Sequence, residues 1–489
     1  MAVKVHHQFP SGLPADDVHP YRTGAWRPQN TEFDAWNLEV QGVIPDDLAG
    51  VYLRNTENPL LPPIKRYHPF DGDGMLHAMS FAGGEARYHN RFVPTDGFKD
   101  ERAAGESLWA GVGENPESAL RESHLGAKPH TKDASSTDVV VHRGVALTSF
   151  YLCGDLYRFD PDSLEALGKE SFAGAFPRQG VSAHPKVDEV SGEMLVFNYE
   201  TQAPYMHYGV VDASGALAHY IDVPLPGPRL PHDIAFTENF TIFNDLPLFW
   251  DARGLEQGRY ASRYHPEMPS RFGIVPRRGS TGQIRWFEAA PTYVLHWINA
   301  YEDGDEIVLD GFFQGTPEPQ RRDDLSFEQN FFRYLDLHTL ETRPHRWRFN
   351  LQTGECREAP LSETISEFPM INGRHGGRPY RYYYSALPAE GWFGFEGIIK
   401  HDLHAGTEQI VRLPPGVYAS ETVMAPRIGA QSEDDGYLVT FTMDVNDDIS
   451  ECLILDAAQP TAEPIARIRL PERICSGTHA FWHAAETVK

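Results

Sequence analysis

Apolar residues in this chain rarely recur at helical spacing. They come as short runs rich in Val, Ile, Tyr, Phe and Thr, some continuous ("EMLVFNY") and some alternating with polar residues, closed by Gly, Pro, Asp or Asn. A period of two places one set of side chains on one face of a pleated strand, and turn-forming residues end it. The pattern predicts an all-β chain made of short hairpins.

One hairpin form recurs. "YRFDPDSLEALG" carries a strand that ends at Asp160, turns, and starts a second strand. "YGVVDASGALAHY" repeats it around Asp212 and Gly215, "WRFNLQTGECRE" around Asn350 and Gly354, "IIKHDLHAGTEQIVRL" around Asp402 and Gly406, and "CLILDAAQPTAEPIARIRL" around Asp456. Asp and Asn side chains bond the backbone of the turn, and Gly accepts the left-handed position after it. Asp160 to Asp212, Asn350 to Asp402 and Asp402 to Asp456 are each a little over fifty residues apart. Hairpins at such a period suggest propeller blades, or less directly a repetitive sandwich. A single propeller over residues 1–489 takes up the whole length without a second domain.

The 38 Pro and 42 Gly are scattered, and no low-complexity linker divides the chain. A formal charge of −26 argues against nucleic acid and against anionic membrane surfaces, because no basic block exists to meet phosphates. Four well-separated cysteines (Cys153, Cys356, Cys452 and Cys475) without a CxxC pair suit free thiols in a reducing compartment. "MAVKVHHQFPSGLP" lacks the apolar core of a signal peptide, and no apolar run reaches the length of a membrane span. A soluble, cytoplasmic protein is expected.

Among 22 histidines, four share a setting at the edge of an apolar strand. His184 lies in "VSAHPKVD", His232 in "LPHDIAFTENFTIF", where it heads a single alternating strand, His296 in "YVLHWINAYEDGDEIVLD" and His479 in "SGTHAFW". They are far apart in sequence, yet the inner strands of a propeller bring distant residues to one axis. Four neutral imidazoles suit Fe(II), Cu or Zn. A closed tetrahedral zinc would be structural, whereas six-coordinate iron would keep positions open for O2. Ligating histidines pass their second N–H to a carboxylate or carbonyl, and Glu367 in "SEFPMING" and Glu421 in "YASETVMAPR" are the candidates. "DGDG" at 71–74 begins like a calcium loop but has Met75 at the fifth position and no closing Glu, so it reads as a tight turn.

Together these stretches resemble the carotenoid cleavage oxygenase family. "GVYLRNTENP" and "YHPFDGDGMLHAMSF" are similar to its N-terminal signature. "SAHPKVD", "LPHDIAFTENF", "HWINAYEDGDEIVLD" and "GTHAFW" match its iron-ligand motifs in order, and "EFPMINGRHGGRPYRYYYSA", "ETVMAPR" and "EDDGYLVTF" match the segments that carry its outer glutamates. The resemblance implies a seven-bladed β-propeller with loops and short helices forming a dome over an axial metal. It implies Fe(2+) on His184, His232, His296 and His479, with Glu367 and Glu421 behind them.

The chain departs from the family at one segment. Where members commonly carry a third outer glutamate, "SFYLCGDLY" has Leu152. Lignostilbene-cleaving members place a Lys just before that glutamate and a Tyr earlier. Tyr151 stands at the Lys position here, and Val112 near the Tyr position. Phe70, Tyr151, Leu152, Phe249 and Trp250 are the candidate substrate contacts, although aromatic residues more often fill cores.

The resemblance implies an oxygenase that uses O2 to cleave a C=C bond of a conjugated apolar alkene into two carbonyl products. Carotenoid-like or apocarotenoid-like alkenes come first, and stilbenoid or phenylpropenoid alkenes second. Isomerase chemistry, a metal-free propeller scaffold and a calcium-dependent propeller hydrolase are the competing readings. The last needs Asp, Asn and Glu at the positions where this chain has His.

Overall fold

Local turn chemistry sets the hairpins. In the computed structural model, which describes residues 1–122, 131–256 and 261–485, every recurring Asp or Asn takes turn N–H groups onto one oxygen. Asp212 accepts from Ser214 at 2.8 Å and Ala216 at 3.2 Å. Asn350 accepts from Gln352 and Thr353, Asp402 from His404 and Ala405, Asp456 from Ala458 and Gln459, and Asp160 from Ser163. Gly215, Gly354 and Gly406 follow with φ of 90°, 81° and 64°, a region costly for other residues.

The chain forms two compact units, one gathering Met1–Ala183 and Leu413–Lys489, the other His184–Gln257 and Ala261–Arg412. The second is built of four-stranded antiparallel meanders. They are Lys186–Val187 with Met194–Tyr199, Met206–Val211 and Leu217–Asp222; then Ala235–Phe236 with Phe240–Asp245, Ser270–Pro276 and Arg285–Ala289. Next come Trp297–Asp303 with Glu306–Gln314, Thr342–Asn350 and Cys356–Pro360, and finally Glu367–Met370 with Tyr382–Pro388, Phe395–Asp402 and Thr407–Arg412. Strands buried on both faces read as continuous runs, as in Met194–Tyr199, while the outer strand Leu217–Asp222 alternates, with Ala218, Tyr220 and Asp222 exposed and Leu217, His219 and Ile221 half-buried. Phe272, Trp297, Trp347 and Phe349 close one core between neighbouring meanders of this unit.

"LPHDIAFTENFTIF" departs from a single alternating strand. It makes two strands, Ala235–Phe236 and Phe240–Asp245, around a turn that Glu302 holds by accepting from the Thr237 hydroxyl (2.7 Å) and the Asn239 N–H (2.9 Å).

In the first unit, Asp138–His142, Val145–Ser149, Tyr157–Phe159 and Ala166–Lys169 form one meander. Val423–Pro426 opens another, through Gly436–Asp444, Ile449–Asp456, Ala466–Arg469 and Glu39–Gly42. The last strand, Ala480–Ala484, pairs with Gly50–Arg54, in a sheet that continues through Met75–Ala82, Glu85–Phe92, Thr31–Trp36 and Ala2–Gln8. Helix is confined to short pieces, the longest described one being Asp96–Ala104. Among the described residues no helix is long and apolar enough to cross a membrane. The "DGDG" stretch follows a single 3-10 turn at Pro69–Asp71, and Gly72 is required because a Cβ would fall 2.6 Å from the Glu57 carbonyl carbon.

A clasp joins residues 54–57 to residues 475–479. Buried Arg54 donates to the Cys475 carbonyl at 2.7 Å, the Thr56 hydroxyl to the Ser476 carbonyl at 3.0 Å, and the Asn55 N–H to the His479 carbonyl at 2.9 Å. A Cβ on Gly477 would lie 2.3 Å from the Thr56 hydroxyl oxygen, so only glycine fits. The Thr478 hydroxyl lies 2.9 Å from a Glu57 carboxyl oxygen and 2.8 Å from the Thr137 carbonyl. Burial pushes the Glu57 carboxyl up to about 8. The single proton of the Thr478 hydroxyl thus faces two acceptors, the Glu57 carboxyl and the Thr137 carbonyl, and its bond to Glu57 opposes the effect of burial.

Because the folded-state value lies above the ordinary 4.5, folding binds a proton at Glu57. Its contribution to stability is full below pH 4.5 and is lost as the pH rises through about 8. Thermal unfolding of Glu57→Gln should therefore decline less than that of the parent across this window, by a difference on the order of a few kcal/mol. Parallel pH profiles would expose an ordinary, unshifted Glu57.

Candidate metal centre

Each candidate histidine or glutamate in the second unit stands where the first strand of a meander begins. His184 precedes Lys186–Val187, His232 precedes Ala235–Phe236, His296 directly precedes Trp297–Asp303, and Glu367 opens Glu367–Met370. That repetition brings three histidines together. Their ligating nitrogens lie within 4.8 Å of one another, with 3.2 Å between the Nε2 atoms of His184 and His232. The ring of His296 sits 5.0 Å from that of His184 and 5.2 Å from that of His232.

Glu367 fixes the third ring. Fully buried, it takes His296 Nδ1 at 2.7 Å and the His296 backbone N–H at 3.3 Å. A carboxylate on Nδ1 makes that nitrogen the donor and leaves the Nε2 lone pair toward the other imidazoles. Three convergent imidazoles with this support fit a divalent transition metal by the chemistry of the donor set. Two backbone positions here are left-handed without being glycine, His184 at φ 66° and Phe368 at φ 55°. Each such position costs on the order of 1–3 kcal/mol, so the surrounding bonds must enforce it.

Asp233 is part of that enforcement, and sequence reasoning missed it. Its buried carboxylate pairs with Lys186 Nζ at 2.7 Å and accepts the Trp297 N–H at 3.1 Å, while its backbone carbonyl accepts the Trp297 indole at 3.3 Å and the Asn244 amide at 2.6 Å. Asp233 neighbours His232, Lys186 lies two residues past His184, and Trp297 follows His296. One carboxylate thus stitches together the segments that carry all three histidines. The signal available was a charged residue beside each of two histidines in otherwise apolar motifs. Burial raises the carboxyl's proton affinity, and Lys186 opposes that shift.

In the first unit, His479 directly precedes Ala480–Ala484, and Glu421 stands two residues before Val423–Pro426. Glu421 Oε2 accepts the Ala480 N–H at 2.5 Å, and Oε1 lies 3.4 Å from His479 Nδ1. The Tyr52 hydroxyl holds the Glu421 carbonyl at 2.7 Å. Burial raises Glu421, and at His479 the carboxylate outweighs a burial effect of the opposite sign. Both groups therefore attract positive charge into a dry site.

The apolar candidates fall into two groups. In the first unit, Leu152 is buried against Ala134 and Phe150, with Tyr151 and Val112 packed beside them. The Phe70 ring meets Tyr151 edge-on at 6.0 Å. In the second unit, Phe249 lies between the Arg229 guanidinium (3.9 Å) and the His265 ring (4.4 Å), and buried Trp250 packs on Tyr199 at 5.9 Å.

Residues 26–484 match the family described as retinal pigment epithelial membrane protein. The chain is 32% identical to a carotenoid 9,10(9',10')-cleavage dioxygenase of Phaseolus vulgaris, over 98% of this chain and 92% of that protein. It is similar to the crystal structure of Pseudomonas brassicacearum lignostilbene dioxygenase, with a TM-score of 0.83, 27% identity, and coverage of 98% of this chain and 100% of that one. Cobalt-substituted Synechocystis ACO follows, with a TM-score of 0.82, 28% identity, and coverage of 94% and 97%.

Replacing Asp233 by Asn should free Lys186 and loosen all three histidine segments. A loss of about 3 kcal/mol is expected, as for one partner removed from a buried ion pair, together with a lower metal content. Thermal unfolding and elemental analysis of the purified variant measure both. Parent-like values would mean that the carboxylate does not organise the site.

Proposed function

We propose that this chain, which belongs to the carotenoid cleavage oxygenase (retinal pigment epithelial membrane protein) family, is a non-haem Fe(II)-dependent oxygenase that uses O2 to cleave a C=C bond of a conjugated apolar alkene. The alkene is of carotenoid or apocarotenoid type, and two carbonyl products leave. The carrying observation is the convergence of His184, His232 and His296, with Glu367 bonded behind His296. His479, backed by Glu421, supplies the fourth ligand in this reading. Residues 1–489 form a single seven-bladed propeller domain, with loops and short helices as a dome. In support, His184, His232, His296, Glu367, Glu421 and His479 all stand at, or up to three residues before, the first strand of a meander. Four free cysteines, three of them buried, agree with a cytoplasmic setting.

When bound, ferrous iron supplies the one-electron chemistry with O2 that closed-shell side chains lack. The chain's own residues do the rest. Glu367 and Glu421 hold protons on the Nδ1 atoms and so keep the Nε2 lone pairs aimed at the metal. Neutral imidazoles leave the site cationic and receptive to an electron-rich alkene. Phe70, Tyr151, Leu152, Phe249 and Trp250 bind the hydrocarbon, and their apolar surface excludes water while one bond is positioned. No side chain is asked to abstract a substrate proton.

Similarity to a lignostilbene dioxygenase favours a stilbenoid or phenylpropenoid alkene as the second reading. The residues weigh against it. Tyr151 and Leu152 stand where that branch carries Lys and Glu, and both pack with Phe150 and Ala134.

The test is anaerobic loading with Fe(II), then incubation with a panel of polyenes and stilbenes, reading carbonyl products by mass. Stoichiometric iron and cleavage of apocarotenoids are expected, with 18O2 label in the products. His296→Ala should lose both iron and turnover; turnover without iron would refute the assignment. A chain that retains no iron would instead favour a scaffold.

A further inference from the structure

Beyond the histidines and glutamates, one more residue stands where a meander begins. Asp138 is the first residue of Asp138–His142, and in other meanders a candidate histidine or glutamate stands at that residue or up to three before it. It is buried, and its carboxylate lies within 4.8 Å of a ring nitrogen of His479, close enough for one cation to bridge the two.

The surrounding bonds fix that pairing. Asn55 donates its backbone N–H to the His479 carbonyl at 2.9 Å and its side-chain amide to the Asp138 carbonyl at 3.1 Å and the Ser135 carbonyl at 3.0 Å. The Thr478 hydroxyl lies 2.8 Å from the carbonyl of Thr137, so the residues before Asp138 and before His479 are also joined. Asp138 Oδ1 accepts the Val139 N–H at 2.7 Å, which sets the rotamer.

Charge supplies a second, independent reason. The family position for a third outer glutamate is Leu152, which is apolar and packed. Asp138 pairs with Ser149 in the hairpin that leads into that segment, so the two differences fall at the same end of one hairpin. An anionic ligand at Asp138 restores the charge that Leu152 removes, and moves it from behind the ligands to the metal itself.

We propose that Asp138 is a metal ligand, coordinating through its carboxylate the same ion that His479 binds. The inference rests on the metal-dependent reading above. It makes the centre a histidine set with one carboxylate, which lowers the net charge on the metal and takes one of its open positions. Hard carboxylate oxygen also shifts preference toward Fe(II), Mn(II) and Co(II) relative to Cu(I).

Cobalt(II) is the probe, titrated into the metal-free full chain with a chelator competitor and followed by its visible d–d absorption. The parent, Asp138→Asn, Asp138→Ala and His296→Ala are compared after circular dichroism confirms folding. Asp138→Asn should bind cobalt about tenfold or more weakly, with an altered band shape, and Asp138→Ala at least as weakly. Asp138→Glu, which keeps the charge, should recover part of the affinity. Parent-like affinity and spectrum in both Asp138→Asn and Asp138→Ala would overturn the ligand role while leaving the histidine site intact. Failure of the parent to bind cobalt, or full binding by His296→Ala, would overturn the metal-dependent reading itself and Asp138 with it.

Discussion

The histidine cluster depends on the buried carboxylate of Asp233. Imidazoles that share a site repel once they carry protons, and His184 adopts a left-handed backbone that strands avoid. Something must hold three chain segments in register before any ion arrives. Asp233 does so with a Lys on one segment and a backbone N–H on another. Both bonds lie in low dielectric, where charge-assisted hydrogen bonds are strong and an unpaired partner is costly.

The same economy recurs at the two glutamates. Glu367 and Glu421 are each buried and each accept both a ring nitrogen and a backbone N–H next to it. A carboxylate used twice in this way fixes the ring and the strand that carries it. Burial raises the proton affinity of Glu421, and the His479 imidazole beside it opposes that shift.

Much of this was legible in the sequence because its causes are local. Asp212, Asn350 and Asp402 announce their turns through side chains that reach only two to four residues ahead. The ligand motifs stand out because a histidine at the edge of an apolar strand has no routine packing role. Asp233, Lys186 and Asp138 did not stand out, since a charged residue beside a turn normally faces water. What makes them different is a partner on another segment, and "PHDIAF" shows only the charge beside His232, not the partner that buries it. The same applies to "LPHDIAFTENFTIF", read as one strand, because Glu302 makes the turn from a distant hairpin.

The clasp between residues 54–57 and 475–479 also orders events during synthesis. The second unit is nearly continuous in sequence, so its meanders assemble from neighbours as they leave the ribosome. The sheet holding Gly50–Arg54 must wait for Ala480–Ala484, its partner from the far end of the chain. Contacts of such long sequence separation form late, because the loop entropy is spent before the contact rewards it. His184, His232 and His296 can therefore gather while the strand that pairs with Gly50–Arg54 is still being made.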